Sequence, residues 1–232
     1  MEIEVIAFDV FGTLVDWRSS ITDALARAGG EAGLRADWPA VADAWRARYR
    51  PVLDRQVRGE EPFQPLDVLH SVMLDEVAEQ YGLQALTRAQ RGELVRAWHR
   101  LAPWPDSVPG LTALRERYIL TPLSNGGIGL LTRLAKSAGL PFDCILSAEL
   151  ARAYKPDRRT YQLVPAFFDI PPDRVLMVAC HPSDLEGAAR SGLRTGYIPR
   201  PLEWGSATTV PPPPAGADIV AEDLISLGAQ LG

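Results

Sequence analysis

Ile3-Glu4-Val5-Ile6-Ala7-Phe8-Asp9-Val10-Phe11-Gly12-Thr13-Leu14 decides how this chain folds. A β-branched, largely apolar run from Ile3 to Phe8 ends in an acidic residue and a Gly-Thr turn. It reads as a strand buried on both faces, the mark of a parallel sheet. Val175 to Val178 repeats the pattern and runs into Ala179-Cys180-His181-Pro182-Ser183-Asp184. Polar groups just beyond the carboxyl ends of parallel strands converge on the ligand crevice of an α/β sheet. Leu123-Ser124-Asn125-Gly126 and Tyr154-Lys155-Pro156-Asp157 complete a set of four scattered segments. Together they hold what covalent chemistry on a carboxylate needs: a nucleophile, hydroxyl and amide donors, a cation and a late acid.

Around these segments the hydrophobic rhythm divides the chain. From about Asp16 it turns helical. Ser20-Ile21-Thr22-Asp23 resembles a capping box, with Ile21, Ala24 and Leu25 as an apolar stripe behind it. A second helix is predicted over Val41 to Leu53, and Leu66, Leu69, Met73 and Val77 recur at helical spacing. Thr87 with Gln90 predicts a further cap ahead of Leu94, Val95 and Trp98. No strand is expected between Asp16 and Arg100, so this stretch reads as an inserted helical bundle. After Pro103, Pro105 and Pro109, strands and helices alternate. The strands are expected at Tyr118 to Ser124, Cys144 to Ser147, Arg174 to Cys180, Thr195 to Ile198 and Asp218 to Val220. Helices are expected near Gly129 to Gly139, from about Arg159 and from near Ser183. That alternation predicts a parallel sheet with helices on both faces. Pro211 to Pro214 reads as an extended surface spacer.

Composition narrows the function. The 232 residues are 47% hydrophobic, enough to fill a sizeable core. With 24 basic and 29 acidic residues there is no electrostatic footprint for nucleic acid or an anionic membrane. Cys144 and Cys180 fit no zinc spacing and no disulfide framework. A strand begins almost at the N-terminus, leaving no room for a signal peptide, and no apolar run is long enough to span a bilayer. A cytoplasmic protein is the expectation.

Asp9 stands at the end of an apolar strand, where a turn-capping role is the plain reading. Gly12 and Thr13 favour another, since glycine permits close backbone approach and the threonine hydroxyl can orient the carboxylate. A carboxylate so held can attack carbon or phosphorus and form an ester intermediate. The pattern Asp9 to Leu14 resembles the first motif of the haloacid dehalogenase superfamily, and the other segments follow in that family's order. The resemblance implies a Rossmann-like parallel-sheet core, residues 1–15 and 101–232, with a helical cap inserted over 16–100.

Most members of that superfamily are magnesium-dependent phosphatases with a second aspartate two places after the nucleophile. Here that place is Phe11, and Ala179-Cys180 stands where a Gly-Asp pair would be. A phenyl ring neither protonates a leaving alkoxide nor activates water. The same departures resemble the type II branch, the L-2-haloacid dehalogenases, which work without metal or other cofactor. The resemblance implies that Asp9 displaces halide from a short 2-halocarboxylate with inversion, and that water then cleaves the Asp9 ester. Halide leaves without protonation, so Phe11 can serve instead to exclude water.

The resemblance also assigns the remaining residues. Thr13 orients Asp9, Lys155 stabilises its charge, and Asp184 positions Lys155 and activates water. His181 shares that last task or is simply a structural hydrogen bonder. Ser124 binds the substrate carboxylate, Asn125 helps cradle the halide, and Tyr161 lines the site. Arg46, beside Trp45, is the halide arginine, with Arg48 as the alternative; a guanidinium is weakly hydrated and suits a large soft anion. Ser183 replaces an aromatic wall, which leaves the pocket roomier unless Trp45, Phe63 or another cap residue fills it. Homodimers are common in the family, and no interface signature marks one here. Two other functions compete with it, a phosphatase of the same superfamily and a silent small-carboxylate binder. The joint presence of Asp9, Thr13, Ser124, Lys155 and Asp184 argues against the second.

Overall fold

Strand β1 (Val5–Phe8) and the short β2 (Val15–Asp16) lead into four helices: α1 (Trp17–Glu31), α2 (Trp38–Val57), α3 (Leu66–Gln80) and α4 (Arg88–Ala97). Then come β3 (Ala102–Pro103), α5 (Ser107–Arg115), β4 (Ile119–Ser124), α6 (Ile128–Ala138), β5 (Leu146–Ser147), α7 (Ala148–Ala151), α8 (Arg158–Tyr161) and α9 (Leu163–Phe168). A short 3-10 turn precedes β6 (Val175–Ala179), followed by α10 (Pro182–Arg190), β7 (Arg194–Tyr197), β8 (Ile219–Val220) and α11 (Leu224–Leu231). The structure is a computed structural model that describes residues 2–206 and 208–232.

Six of these strands form one sheet in the order β5-β4-β1-β6-β7-β8, parallel throughout. Side chains alternate across it with the period of two that a strand imposes. Ile6, Phe8, Leu120, Leu176 and Val178 belong to the larger apolar cluster, with Leu111, Leu134 and Leu227 from α5, α6 and α11. Val5, Ala7, Val175, Met177 and Ala179 belong to a second cluster, with Tyr161, Val164 and Leu185 from α8, α9 and α10. Helices therefore cover both faces, which is why these strands carry no polar alternation. β1 is central, flanked by β4 on one side and β6 on the other. The connections diverge there, so a crevice opens beyond its carboxyl end, at Asp9.

The helical stretch between β2 and β3 begins differently from expectation. Asp16, not Ser20, caps α1, its carboxylate accepting the Ser19 amide at 3.0 Å. Ser20 lies inside the helix. Its hydroxyl donates to the Asp16 carbonyl at 2.7 Å and accepts the Ala102 amide at 3.0 Å, from the far end of the insertion. β2 and β3 pair antiparallel at the same place. The second helix is longer than Val41 to Leu53, because Asp37 caps it and Pro39 sits in its first turn, where a missing N–H costs no helical hydrogen bond. The Thr87–Gln90 capping box forms as its spacing suggested. α5 starts among the prolines that read as loop punctuation, with Pro109 again in a first turn. Among the described residues, no helix is long and apolar enough to cross a membrane.

The segment after β7 is fastened back onto β1. Arg200 pairs with Asp106 through two hydrogen bonds of 2.7 and 2.9 Å, and its Nε donates to the Thr13 carbonyl at 2.7 Å. A forked guanidinium contact of this kind fixes orientation as well as position. It brings residues 203 and 204 down onto the Gly12-Thr13 turn.

Candidate active site

Asp9 is buried just past the end of β1. Its Oδ2 accepts from Thr13 Oγ1 at 2.8 Å and from His181 Nδ1 at 3.1 Å; its Oδ1 accepts from Lys155 Nζ at 2.9 Å. Thr13 is oriented in turn because its oxygen accepts the Cys180 amide at 3.1 Å. Lys155 Nζ also donates to Asp184 Oδ2 at 2.5 Å, and Tyr161 donates to the other Asp184 oxygen at 2.7 Å. Asn125 Oδ1 accepts the Lys155 backbone amide at 2.8 Å. An N–H can only donate, so this contact fixes which amide atom is oxygen and leaves Nδ2 as a donor for the cavity.

Electrostatics follow from this packing. Burial opposes charge on Asp9, but the Lys155 ammonium and the His181 hydrogen bond outweigh it and hold the carboxyl well below the usual range. Burial opposes charge on Lys155 too, and Asp184 and Asp9 together raise it above an ordinary lysine. Asp184 goes the other way. Burial and the nearby Asp9 charge outweigh the help of Lys155 and push its pKa up. One carboxylate is thus kept ionised and its neighbour made more basic, the division of labour that nucleophile and base require.

A cavity of about 250 Å³ opens in front of Asp9, lined by Phe11, Arg46, Tyr49, Asn125, Lys155, Tyr161, His181, Ser183, Asp184 and Trp204 among others. Thr13 and Ser124 are not on its wall. Both are fully buried, and Ser124 Oγ accepts the Gly126 amide at 3.3 Å. Arg46 reaches the cavity, whereas Arg48 is turned to the Ala44 carbonyl, Glu76 and Gln80. The Arg46 guanidinium rests over the rings of Tyr49 and Trp17, and its Nη1 is buried without a hydrogen-bond partner among the described residues. An unpaired, weakly hydrated cation in a pocket is an anion site in waiting.

The aromatic wall comes from a different place than expected. Trp45 is buried behind the cavity, donating to the His70 carbonyl at 3.2 Å, and Phe63 packs on Tyr154. Trp204, from the loop after β7, lines the cavity with Phe11 and Ser183, and leans edge-on against Trp17. Its neighbour Glu203 carries no sequence signal for this site either. Glu203 is 6% exposed and accepts from Trp17 Nε1 at 3.2 Å and from His181 Nε2 at 3.0 Å. The His181–Glu203 pair resists the desolvation of both partners. Burial disfavours the imidazolium, but Cys180 Sγ and the Asp9 and Glu203 carboxylates raise its pKa well above the ordinary value. Burial likewise opposes charge on Glu203, and His181 lowers its pKa regardless. Gly12 makes this possible: its φ is +87°, and a Cβ there would lie 2.2 Å from Glu203 Oε1. A glycine in a tight turn and a lone acid in a distant loop were the available signals, and nothing local links them.

Magnesium asks for a shell of oxygen ligands in near-octahedral array. The residues around Asp9 do not fit it. Phe11 offers no oxygen, the Lys155 ammonium occupies the space between Asp9 and Asp184, and Cys180 and His181 bring sulfur and imidazole.

The model of the haloacid dehalogenase-like hydrolases matches residues 3–192. The chain is 43% identical to a defluorinating L-2-haloacid dehalogenase of known crystal structure, with a TM-score of 0.96 over 99% of this chain and 95% of that one. It is 30% identical to (S)-2-haloacid dehalogenase 4A of Burkholderia cepacia, over 83% of this chain and 81% of that one. Its identity to (S)-2-haloacid dehalogenase 1 of Pseudomonas sp. (strain CBS-3) is 29%, over 88% and 89%. With a buried aspartate ion-paired to lysine beyond the central strand of a parallel sheet, the chain belongs to the haloacid dehalogenase-like hydrolases.

Proposed function

We propose that this chain is a hydrolytic dehalogenase of short L-2-halocarboxylates, acting through an ester of Asp9. The observation that carries the reading is the pairing, on one small cavity, of an ionised Asp9 with an Arg46 whose Nη1 has no protein partner. In this reading residues 16–100 cap the core of 1–15 and 101–232 and deliver Arg46.

Asp9 attacks C2 from the side opposite the carbon–halogen bond, inverting that centre. Halide departs toward Arg46 and Asn125, and Phe11 and Trp204 keep water from blunting the carboxylate. Lys155 aligns Asp9, and Thr13 holds its second oxygen. Asp184, kept basic by burial and paired to Tyr161, takes a proton from the water that attacks the ester. The product is the D-2-hydroxy acid, with Asp9 restored. Phe11 is compatible with this sequence because a halide needs no proton on departure.

The test is halide release from each enantiomer of 2-chloropropionate with a chelator present. The L enantiomer should be consumed and the D enantiomer left. Chelator-sensitive phosphate release from simple phosphate esters, with no halide from either enantiomer, would assign the site to phosphatase chemistry instead. The defluorinating neighbour makes a fluorinated arm worthwhile, because fluoride departure depends most on donors such as Arg46.

A further inference from the structure

We propose that Glu203 is a positioning residue for the second half of the reaction, holding His181 so that His181 and Thr13 form a two-donor oxyanion hole on Asp9 Oδ2. The inference rests on the dehalogenase reading and adds to it a division between the two Asp9 oxygens.

A carboxylate oxygen has two lone pairs in its plane, each able to take one donor. On Oδ2 both are engaged, by Thr13 Oγ1 at 2.8 Å and His181 Nδ1 at 3.1 Å. Among the described residues Oδ1 meets only Lys155 Nζ, which leaves a lone pair for C2 of the substrate. Oδ1 is therefore the oxygen that forms the new C–O bond as the carbon–halogen pair leaves with halide. The ester that results has Oδ2 as its carbonyl oxygen, already facing two donors.

Water then attacks the Asp9 Cγ and gives one proton to the general base. The π pair of the carbonyl moves onto Oδ2, where Thr13 and His181 receive the negative charge. Collapse returns that pair, breaks the Cγ–Oδ1 bond and releases Oδ1 with the product, which takes a proton to become the hydroxyl. Asp9 regains a carboxylate carrying the oxygen of water, and one proton passes to solvent. Donors at 2.8 and 3.1 Å lie in the range where such a hole operates, and a cationic donor is the stronger kind.

His181 can donate from Nδ1 toward Asp9 in either a neutral or a cationic state. Glu203 decides between them, since a carboxylate on Nε2 requires a proton there as well. The other groups facing His181 are Asp9 beyond β1, the Cys180 thiol beside it, and Tyr197 from β7; Arg46 of α2 acts on Glu203, and Lys155 sits on the far Asp9 oxygen. Trp17, Gly12 and the Arg200–Asp106 pair fix where Glu203 can stand.

The experiment separates the two halves in Glu203→Gln. With L-2-chloropropionate, rapid quenching should show first-turnover halide release within about threefold of wild type. Ester hydrolysis should be slower by about tenfold or more, as expected when a charged donor in an oxyanion hole is weakened. The Asp9 peptide should then accumulate as the ester, visible by mass. In the variant, hydrolysis should also decline as pH rises through the ordinary histidine range near about 6.5, where wild type stays flat. Equal slowing of both halves with no change of pH profile would reduce Glu203 to a packing role and overturn the proposal. His181→Asn supplies a neutral donor and should slow hydrolysis without a basic decline; wild-type hydrolysis in that variant would also overturn it. Nitrogen NMR of the wild-type imidazole at about pH 8 should read imidazolium, and a neutral ring there would refute the role assigned to Glu203. If wild type releases no halide from either enantiomer, the dehalogenase reading fails and the oxyanion role with it. The imidazolium signal would then stand on its own.

Discussion

Arg46 lays its guanidinium 4.2 Å above the ring of Tyr49, and that stacking leaves Nη1 aimed at no protein acceptor. Arg48, two residues on in α2, is already engaged by the Ala44 carbonyl and by Glu76 and Gln80. Arg46→Ala should therefore lower kcat/KM for L-2-chloropropionate by about 10²-fold or more, the scale of removing one preorganised donor from a leaving charge. Arg48→Ala should stay close to wild type, because it loses only contacts at the surface of α2. Steady-state halide release from both variants checks the pair, and the reverse ranking would move the anion site to Arg48.

Among the described residues, Lys155 is the only charge compensation offered directly to Asp184 and a main one for Asp9. Lys155→Ala should abolish turnover and cost about 3–5 kcal/mol of stability, the usual penalty for leaving a buried ion unpaired. Acidification should shrink that penalty, since protonating either carboxyl removes the uncompensated charge. Urea unfolding of wild type and variant at neutral and mildly acidic pH measures both effects. A penalty that grows as pH falls would contradict the ion-pair account.

The opposite shifts of Asp9 and Asp184 separate the two reaction steps by pH. Asp9 titrates well below the usual carboxylate range, so alkylation should persist as the solution is acidified. Burial and the Asp9 charge raise Asp184 above its ordinary value, so it is protonated before Asp9 and, in the proposed mechanism, stops serving as base. Mildly acidic conditions should thus leave the first-turnover release of halide intact and suppress steady turnover. Rapid-mixing halide assays across acidic pH decide it; parallel loss of both phases would mean that one group governs both steps.

Trp204 and Ser183 share a wall of the cavity with Phe11. Trp204→Ala should widen the pocket and shift preference toward bromo over chloro substrates of equal chain length. The stability cost should be modest, about 1–2 kcal/mol, because the ring is 39% exposed and its packing is partial. Ser183→Phe should narrow the pocket and move the ranking the other way. Rates with the two halides in each variant provide the measurement.

The parts of this site that were legible in sequence are those in which strand and ligand group are contiguous. Asp9 and Asn125 follow a strand directly and His181 follows one after a single residue, so the pattern that predicts the sheet also places them at its carboxyl edge. Lys155 and Asp184 are legible only through the motifs that surround them. Glu203 and Trp204 were not legible, because they lie in a Pro-flanked loop without periodicity and reach the site only through Arg200, whose partners are remote in sequence. The capping of α1 failed for a simpler reason. Asp16 and Ser20 are both good caps, and only the pairing of β2 with β3 decides which of them meets the free amides. Ser183 reads in sequence as an absent ring, and the fold restores an aromatic wall with Trp204 from the loop after β7.

One hydroxyl, that of Ser20, bonds the chain where it enters the helical insertion and again where it leaves. With β2 and β3 paired beside it, entry and exit lie a single strand spacing apart. The insertion is consequently a detachable loop in the topological sense: its length and its helices can change without altering the register of β1 against β4. What such a change must preserve is the return of one cation to the cavity. Under the proposed chemistry, selection on which halide is accepted can act in the insertion, while the aspartate, lysine and histidine assigned to the ester steps stay under a separate constraint.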